Sequence, residues 1–147
     1  MQYLILLGVL LTGVLYAAAL VLGRRRRLRE YRKRPCSGRQ WQRRFPDSPK
    51  QDIRSFLDSF TNAFGLPSRE RLRFDPSDRL IDVYRALHPP GGIADDMEFE
   101  RLAIKLEDQY GTDAAVLTSP ELTLGELFEE IRHSPWNVKK GTFYFFE

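Results

Sequence analysis

Hydrophobic residues follow two patterns along the chain. Residues 3–22 are almost wholly Leu, Val, Ile and Ala and contain no side chain that is charged at neutral pH. As a helix, twenty such residues reach about 30 Å, the thickness of the hydrocarbon core of a bilayer. Further along, apolar residues recur with the 3.6-residue period of amphipathic helices. The pattern predicts an all-α chain in which a single N-terminal transmembrane helix precedes a small helical bundle.

Four stretches with helical periodicity make up the bundle, and each has start and stop signals. The first and last begin with capping boxes at residues 48–51 and 123–126. A short second helix is predicted after Asp78. The third is capped by Asp95 or Asp96 and ends at a glycine.

Charge is divided unequally along the chain. Residues 1–44 hold 11 basic residues and one acid, a net charge of +10, whereas residues 45–147 hold 12 basic and 19 acidic residues, a net charge of −7. Basic side chains that directly follow an apolar run predict lipid head-group contacts and a cytoplasmic position, with the N-terminus outside the inner membrane and the C-terminal domain in the cytoplasm. These side chains belong to Arg24, Arg25, Arg26, Arg27, Arg29, Arg32, Lys33 and Arg34.

Two other functions of this N-terminal region are disfavoured. A cleaved signal peptide carries its positive charge before the apolar run, not after it. A nucleic-acid contact is disfavoured because the basic block adjoins the predicted span. The sequence therefore predicts the lipid bilayer as a partner and no nucleic acid. Small residues four apart, Gly8 with Thr12 and Gly13 with Ala17, indicate either a weak homodimer through the transmembrane helix or the ordinary composition of such a helix.

The composition divides the chain into four predicted units. They are a transmembrane helix (residues 1–23), a basic juxtamembrane linker (24–47), a helical domain (48–134) and an aromatic C-terminal tail (135–147). The linker carries a short amphipathic piece around Trp41 and Phe45. The tail either docks on the bundle or contacts a membrane interface or a partner. With Cys36 as the single cysteine, an internal disulfide and a cysteine-based zinc site are excluded.

The helix order and several short motifs resemble those of acyl carrier proteins. Residues 92–97 read Gly-Ile-Ala-Asp-Asp-Met, where that family has roughly Gly, any residue, Asp, Ser, Leu at the start of its second helix. Residues 122–131 are similar to the family's last helix. The resemblance covers about residues 49–133 and implies an acyl-carrier-like four-helix bundle.

One position departs from the family in a way that affects its chemistry. Asp96 stands where the family's serine carries phosphopantetheine, and a carboxylate cannot form the same phosphodiester. Ser77 is the only nearby substitute for that serine and is better explained as a turn residue. We therefore predict no cofactor and a degenerate carrier. The alternative is a functional carrier or lipid-handling component of a membrane-associated acyl-transfer system.

Acidic side chains of the third helix are the main candidate binding residues. The resemblance implies that acids of this helix dock on basic partners, although capping and the helix dipole also explain acids at a helix start. The candidates are Asp95, Asp96, Glu98, Glu100 and Glu107. His88 and His133 lie in ordinary helix-end contexts, and neither a catalytic motif nor metal-ligand spacing occurs. The sequence predicts no enzyme and no metal site, but a membrane-anchored binding module whose cytosolic or membrane protein partner is not identified.

Overall fold

The computed structural model describes residues 2–88, 97–119 and 121–134, and this part of the chain is helical. Its α-helices are α1 (Gln2–Arg27), α2 (Arg29–Lys33), α3 (Gly38–Arg44), α4 (Lys50–Ala63), α5 (Leu80–Leu87), α6 (Met97–Tyr110) and α7 (Leu124–His133). Two 3₁₀ helices cover Ser68–Arg73 and Ala114–Thr118. β pairing within these ranges is limited to an isolated bridge between Arg79 and Thr123. The all-α prediction is therefore confirmed for the described residues.

The first helix does not support the predicted membrane span. Among the residues described, no helix has both the length and the apolar character that a crossing requires. The predictions of a single-pass transmembrane helix and of an inner-membrane location with a cytoplasmic C-terminal domain are wrong.

A single hydrophobic core joins helices α3 to α7. Its centre is aromatic: the ring of Phe128 on α7 lies 4.9 Å from Phe45, 5.3 Å from Phe56 and 5.8 Å from Trp41, measured between ring centroids. Around these rings, the inner face of α4 contributes the buried Leu57, and the inner face of α6 contributes the buried Leu102 and Leu106. The core sits where the inner faces of the four predicted helices, observed as α4, α5, α6 and α7, meet.

The segment before residue 48 belongs to this core. Leu28, Trp41 and Phe45 are buried, and the single Ser37 hydroxyl hydrogen is within reach of two carbonyls, since Oγ lies 2.9 Å from the Leu72 oxygen and 2.6 Å from the Phe74 oxygen. The amphipathic piece predicted around Trp41 is helix α3, with its apolar side turned into the bundle. Residues 28–45 are therefore packed against the domain that follows them.

The two predicted capping boxes have different outcomes. At α7 the box is present: the Thr123 hydroxyl accepts from the Glu126 N–H at 3.2 Å, and the Glu126 carboxylate accepts from the Thr123 N–H at 2.8 Å. At α4 it is absent, because Pro49 occupies the N-cap and no side chain caps the helix. The Ser48 hydroxyl is buried without a hydrogen-bond partner among the described residues. The prediction at residues 48–51 therefore places the start of the helix one residue too early.

The capping box makes folding stability depend on pH. Hydrogen bonds from the Thr123 backbone and hydroxyl lower the pKa of the Glu126 carboxyl. Its contribution is therefore fully present above the unfolded-state pKa of about 4.3 and is lost as the pH falls through the lower folded-state pKa. We expect Glu126→Gln to cost below about 1 kcal/mol at pH 6, since the group is exposed, and less at pH 3. Urea unfolding at both pH values measures this difference, and an equal cost at both would contradict it.

The N-terminus of α7 lies unusually close to the loop that precedes α5. The Gly125 N–H donates to the Pro76 carbonyl at 2.8 Å, and the Leu124 N–H donates to the Asp78 carbonyl at 2.9 Å. A Cβ atom at Gly125 would lie 2.8 Å from the same Pro76 oxygen and 2.8 Å from the Arg44 guanidinium carbon. The backbone oxygen cannot move aside as a flexible side chain does, so glycine is required for this approach.

Gly125→Ala is expected to destabilise the fold by about 1–3 kcal/mol through overpacking, despite the better helix propensity of alanine. Gly38→Ala provides the matched control, because its Cβ would lie at an ordinary 3.6 Å from the Cys36 sulfur. Chemical unfolding of both variants tests the difference. A Gly125→Ala protein as stable as Gly38→Ala would show that the close approach is not maintained.

Candidate protein-binding face

Contacts made by its inner side fix how helix α6 is rotated about its own axis. Leu102 and Leu106 are buried, and the Phe99 ring lies 5.7 Å from Phe64 and 5.2 Å from Tyr84. These contacts anchor the first and middle turns of α6 to α4 and α5. The remaining side of the helix faces outward.

The outward side is a continuous strip, which we name the α6 outer face. Successive helical residues are about 100° apart, so Met97 and Ile104, seven apart, lie almost on one line along the helix. Their exposed fractions are 43% and 58%. Glu100 and Glu107 lie on one side of this line, and Arg101 and Asp108 lie on the other side. All six residues of the face are exposed: Met97, Glu100, Arg101, Ile104, Glu107 and Asp108.

Acidic charge predominates on this face. Glu100 and Glu107 are separated by about 10 Å along the helix axis, and Asp108 is on the opposite flank. None of the three carboxylates forms an ion pair within the described part of the chain, whereas other acids do, such as Asp58 with Arg71 at 2.7 Å. The acids of the face are therefore available to an external cation.

Glu98 differs from the other predicted binding acids. Its side chain is 14% exposed, and one carboxylate oxygen lies 3.0 Å from Nε2 of His88. The second oxygen is buried and has no hydrogen-bond partner among the described residues. The His88 ring lies 4.5 Å from that of Tyr84. Glu98 thus joins the start of α6 to the end of α5 and lies beside the α6 outer face, not on it.

Several predicted positions have no structural description. Asp95 and Asp96, and with them the position aligned with the carrier serine, lie outside the described residues, as do the side chains of residues 24–27 and the aromatic tail over 135–147. His133 is described: it is exposed, and its Nδ1 lies 2.8 Å from the Glu129 carbonyl. Within the described ranges, no group of histidine, cysteine or acidic side chains has the arrangement of a metal site.

The basic block makes contacts with the bundle. Arg32 forms an ion pair with Glu70 at 2.9 Å, and Arg34 forms two hydrogen bonds with Asp78, at 2.6 and 2.9 Å. The Asp78 hydrogen bond raises the pKa of the Arg34 guanidinium, which also lies 4.5 Å above the Tyr31 ring. The structure thus gives Arg32 and Arg34 acidic partners within the chain. The lipid contacts predicted for the basic block were inferred from its position beside the predicted transmembrane helix.

Four members of the α6 outer face were not among the predicted binding residues: the apolar Met97 and Ile104, and the charged Arg101 and Asp108. Met97 and Ile104 are apolar but fall outside the apolar stripe that contains Phe99, Leu102 and Leu106. A large apolar side chain that breaks the 3.6-residue period of a helix is the signal that identifies them, because the core cannot bury it. Acidic residues alone do not mark the face.

Comparison of the chain with protein-family models, with curated proteins and with solved structures gave no match. The acyl-carrier resemblance of residues 49–133 stays a prediction. Function is therefore inferred from the residues of the chain and their geometry.

Proposed function

We propose that this chain is a non-catalytic, acyl-carrier-like binding module that presents the α6 outer face to a protein partner. The partner would carry basic side chains around a small apolar patch. The observation that supports this most is the pair of exposed apolar residues, Met97 and Ile104, flanked by carboxylates without an ion pair in the described part of the chain.

The chemistry of the face suits protein recognition. Buried apolar contacts at the centre of an interface supply most of its affinity, which is the role of Met97 and Ile104. Charges at the rim steer association and reject partners of the wrong sign, which is the role of Glu100, Glu107 and Asp108. The rigid anchoring of α6 by Phe99 preorganises both sets, so that little ordering is required on binding.

Charge reversal on this face should weaken binding without unfolding the bundle. We expect Glu100→Lys with Glu107→Lys to lower capture of the partner about tenfold, with the larger loss at low salt, because rim charges act mainly through long-range steering. Ile104→Ser should lower capture at low and high salt alike, because its contribution is apolar. The full chain is immobilised, and captured proteins are quantified by mass spectrometry alongside the melting temperature.

Glu129→Lys with Glu130→Lys is the matched control. It makes the same charge change at two exposed positions on α7 and should leave capture unchanged. Loss of capture only in the two α6 variants would support the proposal. Equal capture by all variants, or an equal loss in the α7 control, would refute it.

A further inference from the structure

A groove that shares no residue with the α6 outer face has the opposite charge. It lies between α3, the first turn of α4 and the 3₁₀ helix Ser68–Arg73, and its volume is about 350 Å³. Its lining includes the cations Arg39, Lys50 and Arg54 and the apolar side chains of Ile53 and Leu72. Among the described residues, no carboxylate lines it.

The three cations of this groove are not neutralised by the chain. Arg39, Lys50 and Arg54 are exposed and form no ion pair within the described residues, whereas Arg32, Arg34, Arg71 and Arg79 all have acidic partners. Lys50 is also the first residue of α4, where the helix dipole favours an acid over a cation. Three like charges around one concave surface repel each other, and a bound anion would relieve that repulsion.

The shape and floor of the groove favour a small molecule over an acidic peptide. Small-molecule sites are concave, mostly apolar and about 300–1,000 Å³ in volume, with a few polar groups that fix orientation. Ile53 is buried and Leu72 is half-buried, so the floor can cover a hydrocarbon chain. The rim then supplies the charged contacts.

We propose that this groove binds an amphiphilic anion, with the acid group held by Arg39, Lys50 and Arg54 and the apolar chain along Ile53 and Leu72. The site is independent of the α6 outer face, and the proposed ligand is a small molecule instead of a protein. A medium-chain carboxylate has both required features.

Decanoate below its micellar concentration tests the site, with decanol and acetate as probes that lack the charge or the chain. Calorimetry on the full chain should show one decanoate bound per chain. Because charge-assisted contacts orient the acid group, Arg39→Glu with Arg54→Glu should weaken this binding about tenfold. Arg43→Glu with Arg69→Glu makes the same charge change at exposed positions outside the groove and should leave it unchanged. Decanol and acetate should each bind at least about tenfold more weakly than decanoate.

The single cysteine reports directly on occupancy. Cys36 is exposed and lines the groove, so decanoate should slow its alkylation by iodoacetamide in the unmodified chain. This measurement does not depend on the folding of any variant. Equal decanoate affinity in both double variants would assign binding to exposed apolar side chains elsewhere, such as those of α1, and would overturn the proposal. Protection of Cys36 by an acidic peptide but not by decanoate would also overturn it.

Discussion

Trp41→Ala is expected to lower the free energy of unfolding by about 3–5 kcal/mol, the range for a large aromatic removed from a core. The Trp41 side chain is 0% exposed, and its indole N–H donates to the Phe74 carbonyl at 2.9 Å. Its ring lies 5.9 Å from Phe56 and 5.8 Å from Phe128. The loss would be a large part of the 5–15 kcal/mol that stabilises a typical domain.

Trp41→Phe separates the packing of the ring from its hydrogen bond. Phenylalanine keeps most of the aromatic contact, and the Phe74 carbonyl still accepts from Ser37, so we expect a cost of about 1–2 kcal/mol. Urea unfolding of the full chain measures both variants. A cost below 1 kcal/mol for Trp41→Ala would show that α3 is not packed in the core.

Asp78→Asn is expected to cost about 2 kcal/mol, the scale of hydrogen bonds to charged groups. The Asp78 side chain is only 10% exposed and accepts from the Arg34 guanidinium and from the Asp75 N–H, the latter at 2.7 Å. The amide keeps the shape of the carboxylate but loses the charge, so Arg34 loses its acidic partner. Thermal and chemical unfolding report the change.

A double-mutant cycle assigns that cost to the contact between the basic block and the bundle. Arg34→Gln combined with Asp78→Asn should destabilise the protein by less than the two single changes added together. The control is Asp58→Asn, which removes an ion pair with Arg71 whose partners are both more than 30% exposed. Its expected cost is below about 1 kcal/mol. Additive effects at Arg34 and Asp78 would mean that these residues do not interact in solution.

Local signals predicted the helices of the bundle well. The 3.6-residue period at α4 and α6 and the reciprocal capping at Thr123 depend only on residues within one helix, which a sequence displays directly. Gly65 and Gly111 have φ of 61° where α4 and α6 end, the conformation that glycine favours after a helix. These features need no knowledge of distant neighbours.

Contacts between distant segments could not be predicted in the same way. The pairing of Arg34 with Asp78 joins residues 44 apart, and the charge of the block alone does not distinguish an internal acid from an external one. Likewise, the 10-residue separation of His88 and Glu98 gives no sign that this acid turns away from the surface. The close approach of Gly125 to Pro76 depends on how α7 meets the loop before α5, which is tertiary information.

Site-specific photo-crosslinking from position 104 tests the proposed binding face most directly. A benzophenone side chain in place of Ile104 would lie at the centre of the α6 outer face, and the same group at position 129 on α7 would lie away from it. Irradiation in cells should give a single adduct with a basic partner from position 104 and none from position 129, and Glu100→Lys with Glu107→Lys should lower the yield of that adduct about tenfold. Equal adducts from both positions, or an adduct from position 129 alone, would contradict the account.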